Sequence, residues 1–436
     1  MTFSSDERPR TLRAILGGLI LLVAVFASGW ILGFEGGRDA GAESPTRFSS
    51  WLGSAGTSTG RVLGVGSNPP RGTVADVDFG QFWEVWRDLK SHYYRQPVND
   101  QTLFYGALRG MAESVGDPYT TYFEPVEAEE FSNDLRGEFS GIGAEIGSKD
   151  GELQVVAPLP DSPAERAGLR PRDLILKIND EDAIDMPVDL AVSKIRGPKG
   201  TQVHLQLGRV TNNATGTRRE FEPVDVTITR EVITVKSVRL REEGGVFVID
   251  VRNFNDDTEG LFREAVDEAL SKNAKGIIVD LRNDPGGYLD KAIAVAGEWL
   301  KDKVVVQQRE QGTITERYKG TGRGLLNGVK TVVLVNEGSA SAAEIVAGAL
   351  QDAGAATVVG AKTFGKGSVQ DYQEYEDGSA LKVTIAEWLT PNGRSINHEG
   401  IEPDVSVELT IEDLNAERDP QLEKAFELIR TGQAKP

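Results

Sequence analysis

Two short segments near the C-terminal end of the chain carry residues that could perform nucleophilic chemistry. Gly338–Glu344 has the sequence GSASAAE, and Thr363–Gln370 has the sequence TFGKGSVQ. Each segment follows an apolar run typical of a β-strand, so its polar residues are expected at strand ends, where open α/β sheets place active sites. A lysine shielded from water loses its proton readily and can then activate a serine. The pattern therefore favours covalent catalysis by a serine, with a lysine as general base.

The same residues also allow structural interpretations. Ser341 and Glu344 have the spacing of a capping box, so Ser341 could simply cap the following helix. Ser339 is an equally good nucleophile by residue type. The run Gly360–Lys366 fits the beginning of a phosphate-binding loop, but Gly367 stands where such a loop needs the hydroxyl that holds Mg²⁺. Nucleotide binding is therefore disfavoured.

Both segments resemble the signature segments of the carboxyl-terminal processing proteases, also called tail-specific proteases. The resemblance extends from about Val77 to Asp404. It implies that Ser341 is the nucleophile, that Lys366 is the general base, and that Gln370 orients the lysine. The separation of 25 residues between the serine and the lysine is the spacing of this family.

This chemistry requires a change in the protonation of the lysine. A free lysine has a pKa of about 10.4, so catalysis near neutral pH needs a decrease of roughly three units. Burial of Lys366 beside Phe364 and the neighbouring glycines is the expected cause.

Attack by Ser341 on a carbonyl would produce an oxyanion, which needs backbone N–H donors. Ala342 provides one candidate donor, because it follows the serine at the N-terminus of the predicted helix. The second candidate, favoured by the resemblance, is Gly287 in the segment Asn283–Gly287. An ordinary β-turn explains this segment almost as well.

Other chemical classes fit the composition poorly. The three histidines, His92, His204 and His398, stand in segments typical of structural or surface positions, and no Gly-x-Ser-x-Gly elbow is present. The sequence has no cysteine and no metal-ligand cluster, so we expect no thiolate catalysis, disulfide, metal or other cofactor. With 67 acidic and 48 basic residues the net charge is −19, which argues against nucleic acid as a partner.

The N-terminal segment predicts export. Three arginines precede an uncharged run of 21 residues from Ala14 to Phe34, which is long enough to span a bilayer as a helix. The basic residues place the N-terminus in the cytoplasm. We therefore expect a single-pass membrane anchor in residues 1–34, with the catalytic part on the extracytoplasmic side (periplasmic or extracellular). A signal peptide cleaved near Ala27 is the alternative. Residues 35–75, rich in Gly, Ser and Thr, are typical of a flexible linker.

The middle of the chain, about residues 135–229, resembles a PDZ domain. Its FSGIGA segment is similar to a carboxylate-binding loop, which implies that the N–H groups of Gly141, Ile142 and Gly143 bind the C-terminal carboxylate of a peptide. Arg196 matches an arginine that couples this domain to the catalytic site in some relatives. An ordinary role as a solvated surface residue explains Arg196 equally well. The residue pattern by itself predicts only a small β-rich domain.

Strand and helix patterns alternate from Val246 onward, which indicates an α/β core. The resemblance narrows this core to the ClpP/crotonase-like fold. Asp371–Tyr375 and Ala380–Trp388 are expected to form a hairpin.

N-terminal helices are expected from the aromatic stripe that begins at Phe79. In relatives such helices help to form dimers, so a homo-oligomer is one of the expected partners. The expected organisation is an anchor at 1–34, a linker at 35–75, helices at 76–134, a PDZ domain at 135–229, a peptidase core at 230–410 and a helical tail at 411–436.

Together these features predict an exported serine endopeptidase that recognises protein C-termini through its PDZ domain and cleaves near them with a Ser-Lys dyad. Its partners would be protein or peptide substrates with free C-termini. The alternative is a membrane-tethered PDZ scaffold with an inactive protease-like domain, which would be favoured if Ser341 were fully engaged as a helix cap.

Overall fold

The computed structural model describes residues 78–149, 152–211, 220–410, 412–413, 416 and 418–436. The predicted anchor at 1–34 and the predicted linker at 35–75 lie outside these residues. Within the described ranges, no helix is both long and apolar enough to cross a membrane. The chain divides into two compact units between Gly116 and Asp117.

The N-terminal unit contains two helices, α1 (Phe79–His92) and α2 (Asp100–Glu113). Each begins at a side chain that caps it. Asp78 accepts a hydrogen bond from the Gly80 N–H at 2.8 Å, and Asn99 accepts one from the Gln101 N–H at 2.7 Å. The aromatic residues of the predicted stripe lie on α1, so the N-terminal helices are confirmed.

The second unit contains the remaining described elements. Its helices are α3 (Pro125–Leu135), α4 (Pro163–Arg166), α5 (Val188–Ile195), α6 (Thr258–Ser271), α7 (Leu289–Leu300), α8 (Ala342–Asp352) and α9 (Pro420–Thr431). Its strands are β1 (Thr121–Phe123), β2 (Glu138–Gly141), β3 (Ala144–Lys149), β4 (Glu152–Pro158), β5 (Leu174–Ile178), β6 (Glu181–Asp182), β7 (Gln202–Thr211), β8 (Glu220–Thr229), β9 (Glu231–Thr234), β10 (Val238–Glu243), β11 (Val246–Val251), β12 (Gly276–Asp280), β13 (Val304–Glu310), β14 (Thr313–Lys319), β15 (Thr331–Val335), β16 (Thr357–Gly360), β17 (Ser368–Glu374), β18 (Ala380–Leu389) and β19 (Val405–Ser406).

A small antiparallel sheet occupies the middle of the chain. Its strand order is β3-β4-β5-β7-β8, with β6 paired to β5, while β2 and β9 pair separately. In β7, Val203, Leu205 and Leu207 are fully buried and alternate with more exposed residues. This period of two is the pattern of a strand with one face on a core. The predicted β-rich domain is therefore present.

A second sheet forms the core of the C-terminal half, in the order β10-β11-β12-β15-β16-β19. All pairs are parallel except β10 with β11. Alternate residues face opposite sides: Ile277 and Val279 belong to the cluster that contains α6, α7 and α8, whereas Ile278 belongs to the cluster that contains Phe426 of α9. Since both faces are covered, the strands are continuously apolar. The predicted alternation of strands and helices is confirmed.

A third sheet carries the residues that follow the lysine segment. Its order is β1-β18-β13-β14, with β17 also paired to β18. The predicted hairpin is confirmed as β17 and β18, with Glu374 opposite Ala380. Its first strand begins at Ser368, three residues before the predicted start at Asp371. The strand therefore starts two residues after Lys366, which places the lysine at the edge of this sheet.

Candidate active site

Ser341 lies where strand β15 has ended and helix α8 begins. It is the N-cap residue of α8, and its backbone has φ 52° and ψ −113°. A positive φ is uncommon for a residue with a side chain, and such strained backbone recurs at active sites. Ser341 and Glu344 form a capping box: the backbone N–H of Ser341 donates to the Glu344 carboxylate at 2.9 Å, and the Ser341 side chain is the acceptor for the backbone N–H of Glu344. Because the hydroxyl oxygen has an acceptor role in this cap, the hydroxyl proton can still be donated to a base.

Ser339 has a different environment from Ser341. Its side chain is fully buried. The Ser339 hydroxyl donates to the carbonyl oxygen of Leu281 at 2.7 Å and accepts a hydrogen bond from the Asn336 N–H at 3.0 Å. These bonds fix the turn between β15 and α8 to the end of β12. Ser339 therefore has a structural role. Its environment distinguishes it from Ser341, although the two residues are equally good nucleophiles by residue type.

Glu344 connects the serine segment with the lysine segment. Its carboxylate is fully buried and accepts four hydrogen bonds. The donors are the Ser341 N–H at 2.9 Å, the Thr363 hydroxyl at 2.6 Å, the Gly365 N–H at 2.7 Å and the Lys366 N–H at 2.9 Å. Burial raises the pKa of Glu344, and these hydrogen bonds oppose the increase. The sequence indicated a capping box here but gave no sign of the contacts with the lysine loop.

Lys366 is partly buried in the loop between β16 and β17. Burial lowers the pKa of Lys366, and the negative charge of Glu344 opposes this effect. The predicted direction is confirmed, but the surroundings differ from the expectation. Phe364 is 48% exposed, whereas the Tyr119 ring centroid lies 5.6 Å from Lys366 Nζ. Tyr119 was not anticipated, because it is distant in sequence and reaches the site through β1.

The segment predicted to complete the oxyanion site packs against the serine turn. The Asn283 N–H donates to the Asn336 side-chain oxygen at 2.8 Å, and the Asn336 amide donates to the Asn283 side-chain oxygen at 2.9 Å. The Ala340 N–H donates to the Asp284 carbonyl at 2.9 Å. Three hydrogen bonds therefore hold the two segments in register.

Gly286 allows the close approach of these two segments, and Gly287 allows the same loop to approach the backbone of Phe254 after β11. A Cβ at Gly286 would lie 2.8 Å from the Ser341 Cβ and 2.9 Å from the Ala342 nitrogen, and a Cβ at Gly287 would lie 2.1 Å from the Phe254 carbonyl oxygen. Only glycine fits at these contacts. No hydrogen bond within the described ranges uses the N–H of Gly287 or that of Ala342. Both remain candidate oxyanion donors.

Asp284 is a buried carboxyl group in the same segment. One of its side-chain oxygens accepts the Gly286 N–H at 2.8 Å. The other is buried and has no partner among the described residues. Burial raises the pKa of Asp284 well above its usual range. Burial therefore favours the neutral form of this carboxyl group.

Gln370 lies on β17, four residues after the lysine. Its side-chain nitrogen donates to the Ser368 hydroxyl at 2.6 Å and lies 3.3 Å from the Thr384 hydroxyl on β18. These contacts fix the Gln370 side chain on the strand that follows Lys366. Its role in orienting the lysine stays a prediction.

The predicted carboxylate-binding loop lies at the end of β2. Gly141 is the last residue of that strand, and the Ile142 side chain is buried in the core of the small sheet domain. The Ile142 carbonyl accepts a hydrogen bond from the Ala164 N–H at 2.8 Å. Gly143 has φ 71°, and a Cβ there would lie 2.5 Å from the Ser162 Cβ. The loop is therefore fixed in place on both sides, and its binding role remains a prediction.

Arg196 is the C-cap residue of helix α5 in the small sheet domain. Its guanidinium carbon is 4.8 Å from the centroid of the Phe139 ring on β2. Burial raises the pKa of Asp134 on α3, and the positive charge of Arg196 opposes this effect. The Tyr372 hydroxyl of β17 donates to the Ala128 carbonyl of α3 at 3.3 Å. Helix α3 therefore contacts the strand that follows Lys366 and carries a carboxyl group that interacts electrostatically with Arg196.

Comparison with known proteins identifies the family. The profile of peptidase family S41 matches residues 245–407, and that of the PDZ domain matches residues 154–209. The carboxy-terminal processing protease CtpA of Bacillus subtilis is 38% identical over 345 residues, which cover 77% of this chain and 70% of that relative. The chain belongs to the carboxy-terminal processing proteases of peptidase family S41. The predicted family and the predicted PDZ domain are thereby confirmed.

Two further comparisons show how much of a relative this chain matches and which fold it shares. A probable CtpA-like serine protease of Staphylococcus epidermidis is 38% identical over 325 residues, which cover 74% of this chain and 64% of that relative. The match therefore spans just under two thirds of the staphylococcal protein. A solved S41 protease structure from Bacteroides fragilis has a TM-score of 0.50 and 15% identity, covering 84% of this chain and 99% of that one. This likeness supports the α/β peptidase fold alone.

Proposed function

We propose that this protein is a serine endopeptidase that cleaves polypeptides near their C-termini, with Ser341 as nucleophile and Lys366 as general base. The observation that carries the proposal is the buried Glu344 carboxylate, which binds the backbone of both residues. It brings the turn that presents the serine hydroxyl to a lysine whose pKa is lowered by burial.

The mechanism follows from these groups. Neutral Lys366 accepts the proton of the Ser341 hydroxyl as the serine oxygen attacks the peptide carbonyl. The N–H groups of Gly287 and Ala342 stabilise the oxyanion, and the latter lies at the N-terminus of α8, where the helix dipole favours negative charge. Protonated Lys366 then donates its proton to the leaving amine. Water, deprotonated by the same lysine, hydrolyses the acyl-enzyme.

The PDZ domain selects substrates by their free C-termini in this proposal. The N–H groups of Gly141, Ile142 and Gly143 would bind the terminal carboxylate. Arg196 is the proposed link to the catalytic residues, since helix α3 contacts β17 and its Asp134 interacts electrostatically with Arg196. Such a link requires that the bound peptide have different affinities for two arrangements of the protein.

The proposed location is the extracytoplasmic face of the cell membrane, with residues 1–34 as a single-pass anchor. The support is the uncharged run of 21 residues after three arginines. The test is fractionation of cells, followed by protease treatment of intact cells or spheroplasts. Recovery in the soluble cytoplasmic fraction would contradict this location. A cleaved signal peptide would instead leave a shortened chain in the extracytoplasmic fraction.

We also propose that copies of this chain associate into a homo-oligomer. Helix α1 has no buried residue, and Phe79, Val85 and Leu89 on it are exposed. Exposed apolar side chains that are grouped on one helix are frequently covered by a partner. The test is the mass of the purified protein in light scattering, and a monomer at all concentrations would contradict it.

Labelling with a fluorophosphonate tests the catalytic proposal directly. The wild-type chain and Ser339→Ala should be labelled, whereas Ser341→Ala should not, and only the labelled forms should cleave an unfolded protein. A folded wild-type chain that is neither labelled nor active would instead support the inactive PDZ scaffold. That alternative requires a serine that is fully engaged as a cap, whereas an acceptor role in the capping box leaves the hydroxyl proton of Ser341 available for transfer to a base.

A further inference from the structure

A network of charged side chains without a role in the mechanism above joins the C-terminal helix to the segment that carries Gly287. Its centre is Arg282, whose side chain is only 13% exposed. The guanidinium donates to the two oxygens of Asp280 at 2.9 and 2.7 Å, to the two oxygens of Asp419 at 2.9 Å each, and to the side-chain oxygen of Gln421 at 3.1 Å. These contacts use all the N–H donors of an arginine side chain.

The partners of Arg282 belong to two different elements. Asp280 is the last residue of β12. Asp419 is the N-cap residue of α9, where it also accepts the Leu422 N–H at 3.0 Å. Gln421 is buried in the first turn of α9, and its side-chain nitrogen donates to the Val407 carbonyl at 2.8 Å. Arg282 therefore ties the end of a core strand to the beginning of α9.

Helix α9 is itself held firmly on the core sheet. Phe426 and Ile429 on it are buried in one cluster with Ile278 of β12. After the helix, the Lys435 carbonyl accepts the Thr331 N–H of β15 at 3.0 Å. The start of α9 is thus a fixed support for the guanidinium of Arg282.

The residues on either side of Arg282 are bonded to the turn that presents the nucleophile. The Leu281 carbonyl accepts the Ser339 hydroxyl at 2.7 Å, and Asn283 exchanges two hydrogen bonds with Asn336. The backbone at Arg282 is therefore bonded to the serine turn through its neighbours, while its side chain is bonded to α9.

The segment Asn283–Gly287, called the oxyanion loop below, needs such support because of its composition. Gly286 has φ 100° and Gly287 has φ 142°, and glycine has more conformational freedom than any other residue. At the far end of the loop, the Phe254 N–H donates to the Gly286 carbonyl at 2.8 Å. At the near end, Arg282 immediately precedes the loop. An oxyanion donor must lie within a few tenths of an ångström of its working position, so both ends have to be fixed.

We propose that Arg282 is a positioning residue for the oxyanion donor Gly287, and that helix α9 is a necessary part of the active site because it holds Arg282 in place. This inference rests on the proposed function, in which the Gly287 N–H stabilises the oxyanion. Arg282 acts through the oxyanion loop and does not contact the reacting atoms.

The test is fluorophosphonate labelling of Ser341 in the full-length variant Asp419→Asn. The asparagine keeps one oxygen for Arg282 and Leu422, but its NH₂ group faces a second N–H of the guanidinium and cannot accept from it. The phosphoryl oxygen of the reagent becomes negative during the reaction and occupies the oxyanion site. We expect the rate constant of labelling to fall about tenfold, less than the roughly 100-fold or greater loss that follows removal of a whole oxyanion donor.

The final extent of labelling distinguishes positioning from simple instability. If Arg282 positions the donor, every folded chain still reacts, so Asp419→Asn should reach the same extent as the wild type but more slowly. For cleavage of a peptide, kcat should fall while KM stays unchanged, because the oxyanion exists only in the transition state and the intermediate. A wild-type rate constant in Asp419→Asn, with or without a reduced extent, would overturn the inference.

Ile429→Val and Ile429→Ala are the matched controls. Ile429 lies on the same helix but packs against Gly276, at the opposite end of β12 from Arg282. These variants weaken the packing of α9 to two different degrees without removing a contact of Arg282. Their melting temperatures should fall, and their labelling rate constants should stay at the wild-type value wherever the protein is folded. Rate constants that fall in step with the melting temperature in all three variants would refute the inference.

Gln421→Met provides a second, milder test if Asp419→Asn does not fold. It removes one neutral acceptor from Arg282 and leaves both carboxylates in place. The labelling rate constant should then fall by about threefold, the lower end of the range for one neutral hydrogen bond. A wild-type rate constant in folded Gln421→Met would in that case contradict the inference.

The inference and the proposed function fail in different ways. A folded wild-type chain that does not label at Ser341 would contradict the proposed function itself. A wild-type chain that labels, together with variants of Asp419 and Gln421 that label equally fast, would contradict only the role of Arg282 and α9.

Discussion

The backbone N–H groups of Ser341 and Lys366 donate to the same carboxylate oxygen, Oε2 of Glu344, each at 2.9 Å. The two nitrogens are therefore no more than about 5.8 Å apart, although the residues are 25 positions apart in the chain. The other oxygen of Glu344 accepts from Thr363 and Gly365 in the lysine loop. One buried side chain thus fixes the relative position of the serine turn and the lysine loop.

The first prediction concerns the two serines and the lysine. Ser341→Ala and Lys366→Ala should each abolish cleavage of an unfolded protein, with the melting temperature close to that of the wild type. Ser339→Ala should keep substantial activity but lower the free energy of unfolding by about 1–3 kcal/mol, because the Leu281 carbonyl and the Asn336 N–H lose their buried partner. Activity in Ser341→Ala together with inactivity in Ser339→Ala would reverse the assignment.

The second prediction concerns Glu344→Gln. An amide has one acceptor oxygen and one donor group, so it cannot accept four hydrogen bonds, and its NH₂ would face N–H donors. We follow the rate constant of fluorophosphonate labelling at Ser341 as a function of pH. Its plateau at high pH, where Lys366 is neutral, should fall by at least roughly 100-fold, as when a group that aligns catalytic residues is lost. The negative charge of Glu344 raises the pKa of Lys366, so its removal should also move the midpoint of the pH profile to lower pH.

The lower plateau and the shifted midpoint expected for Glu344→Gln report on different roles of the residue. A lower plateau with an unmoved midpoint would show that Glu344 acts through position alone. A wild-type profile in a folded variant would contradict both roles. Glu337→Gln, which removes an exposed carboxylate from the same turn, is the matched control and should leave the profile unchanged.

The serine and lysine could be predicted because each belongs to a short contiguous motif. Glu344 was recognised only as a capping residue, since its other three contacts are with residues 19 to 22 positions later in the chain. Tyr119 could not be placed, because its proximity to Lys366 depends on the pairing of β1 with β18. Local sequence predicts what a loop can do, whereas its electrostatic environment comes from distant segments.

The same distinction applies to the fold. The buried strands of the core sheet and the helices that cover it were predicted closely, because their apolar runs are continuous and their ends are marked by glycine or polar residues. The start of β17 was placed too late. Ser368 and Val369 follow two glycines of the lysine loop and show no alternation, and only their pairing with β18 makes them part of the strand. Strand limits set by pairing are not encoded locally.

The third prediction concerns Asp284 and pH. Burial raises the pKa of this carboxyl group in the folded protein well above its value in the unfolded chain. Its contribution to stability is therefore fully present below the unfolded pKa, and is lost as the pH rises through the folded pKa. Asp284→Asn keeps an oxygen that can accept the Gly286 N–H but cannot ionise. The variant should melt at a higher temperature than the wild type on the alkaline side, and the difference should shrink towards acid pH.

Melting curves of the wild type and Asp284→Asn over a range of pH test this expectation. Asp284→Ala is the control for the hydrogen bond: it should be less stable than Asp284→Asn at every pH by about 1–2 kcal/mol, because neither side chain ionises and only the asparagine can accept the Gly286 N–H. A difference between the wild type and Asp284→Asn that is the same at all pH values would show that Asp284 does not titrate between the folded and unfolded states in this range.

The last prediction concerns substrate choice. If the loop of Gly141, Ile142 and Gly143 binds a terminal carboxylate, a substrate with a free apolar C-terminus should be cleaved faster than the same substrate with that terminus amidated. We expect at least a tenfold difference in kcat/KM, equivalent to about 1.4 kcal/mol of binding to the carboxylate. Arg196→Ala should reduce this difference if Arg196 transmits the effect through α3, and should leave the labelling rate without peptide unchanged. Equal cleavage of the two substrates by the wild type would remove the PDZ loop from the mechanism, whereas a preference that survives Arg196→Ala would retain the loop and exclude Arg196 as the link.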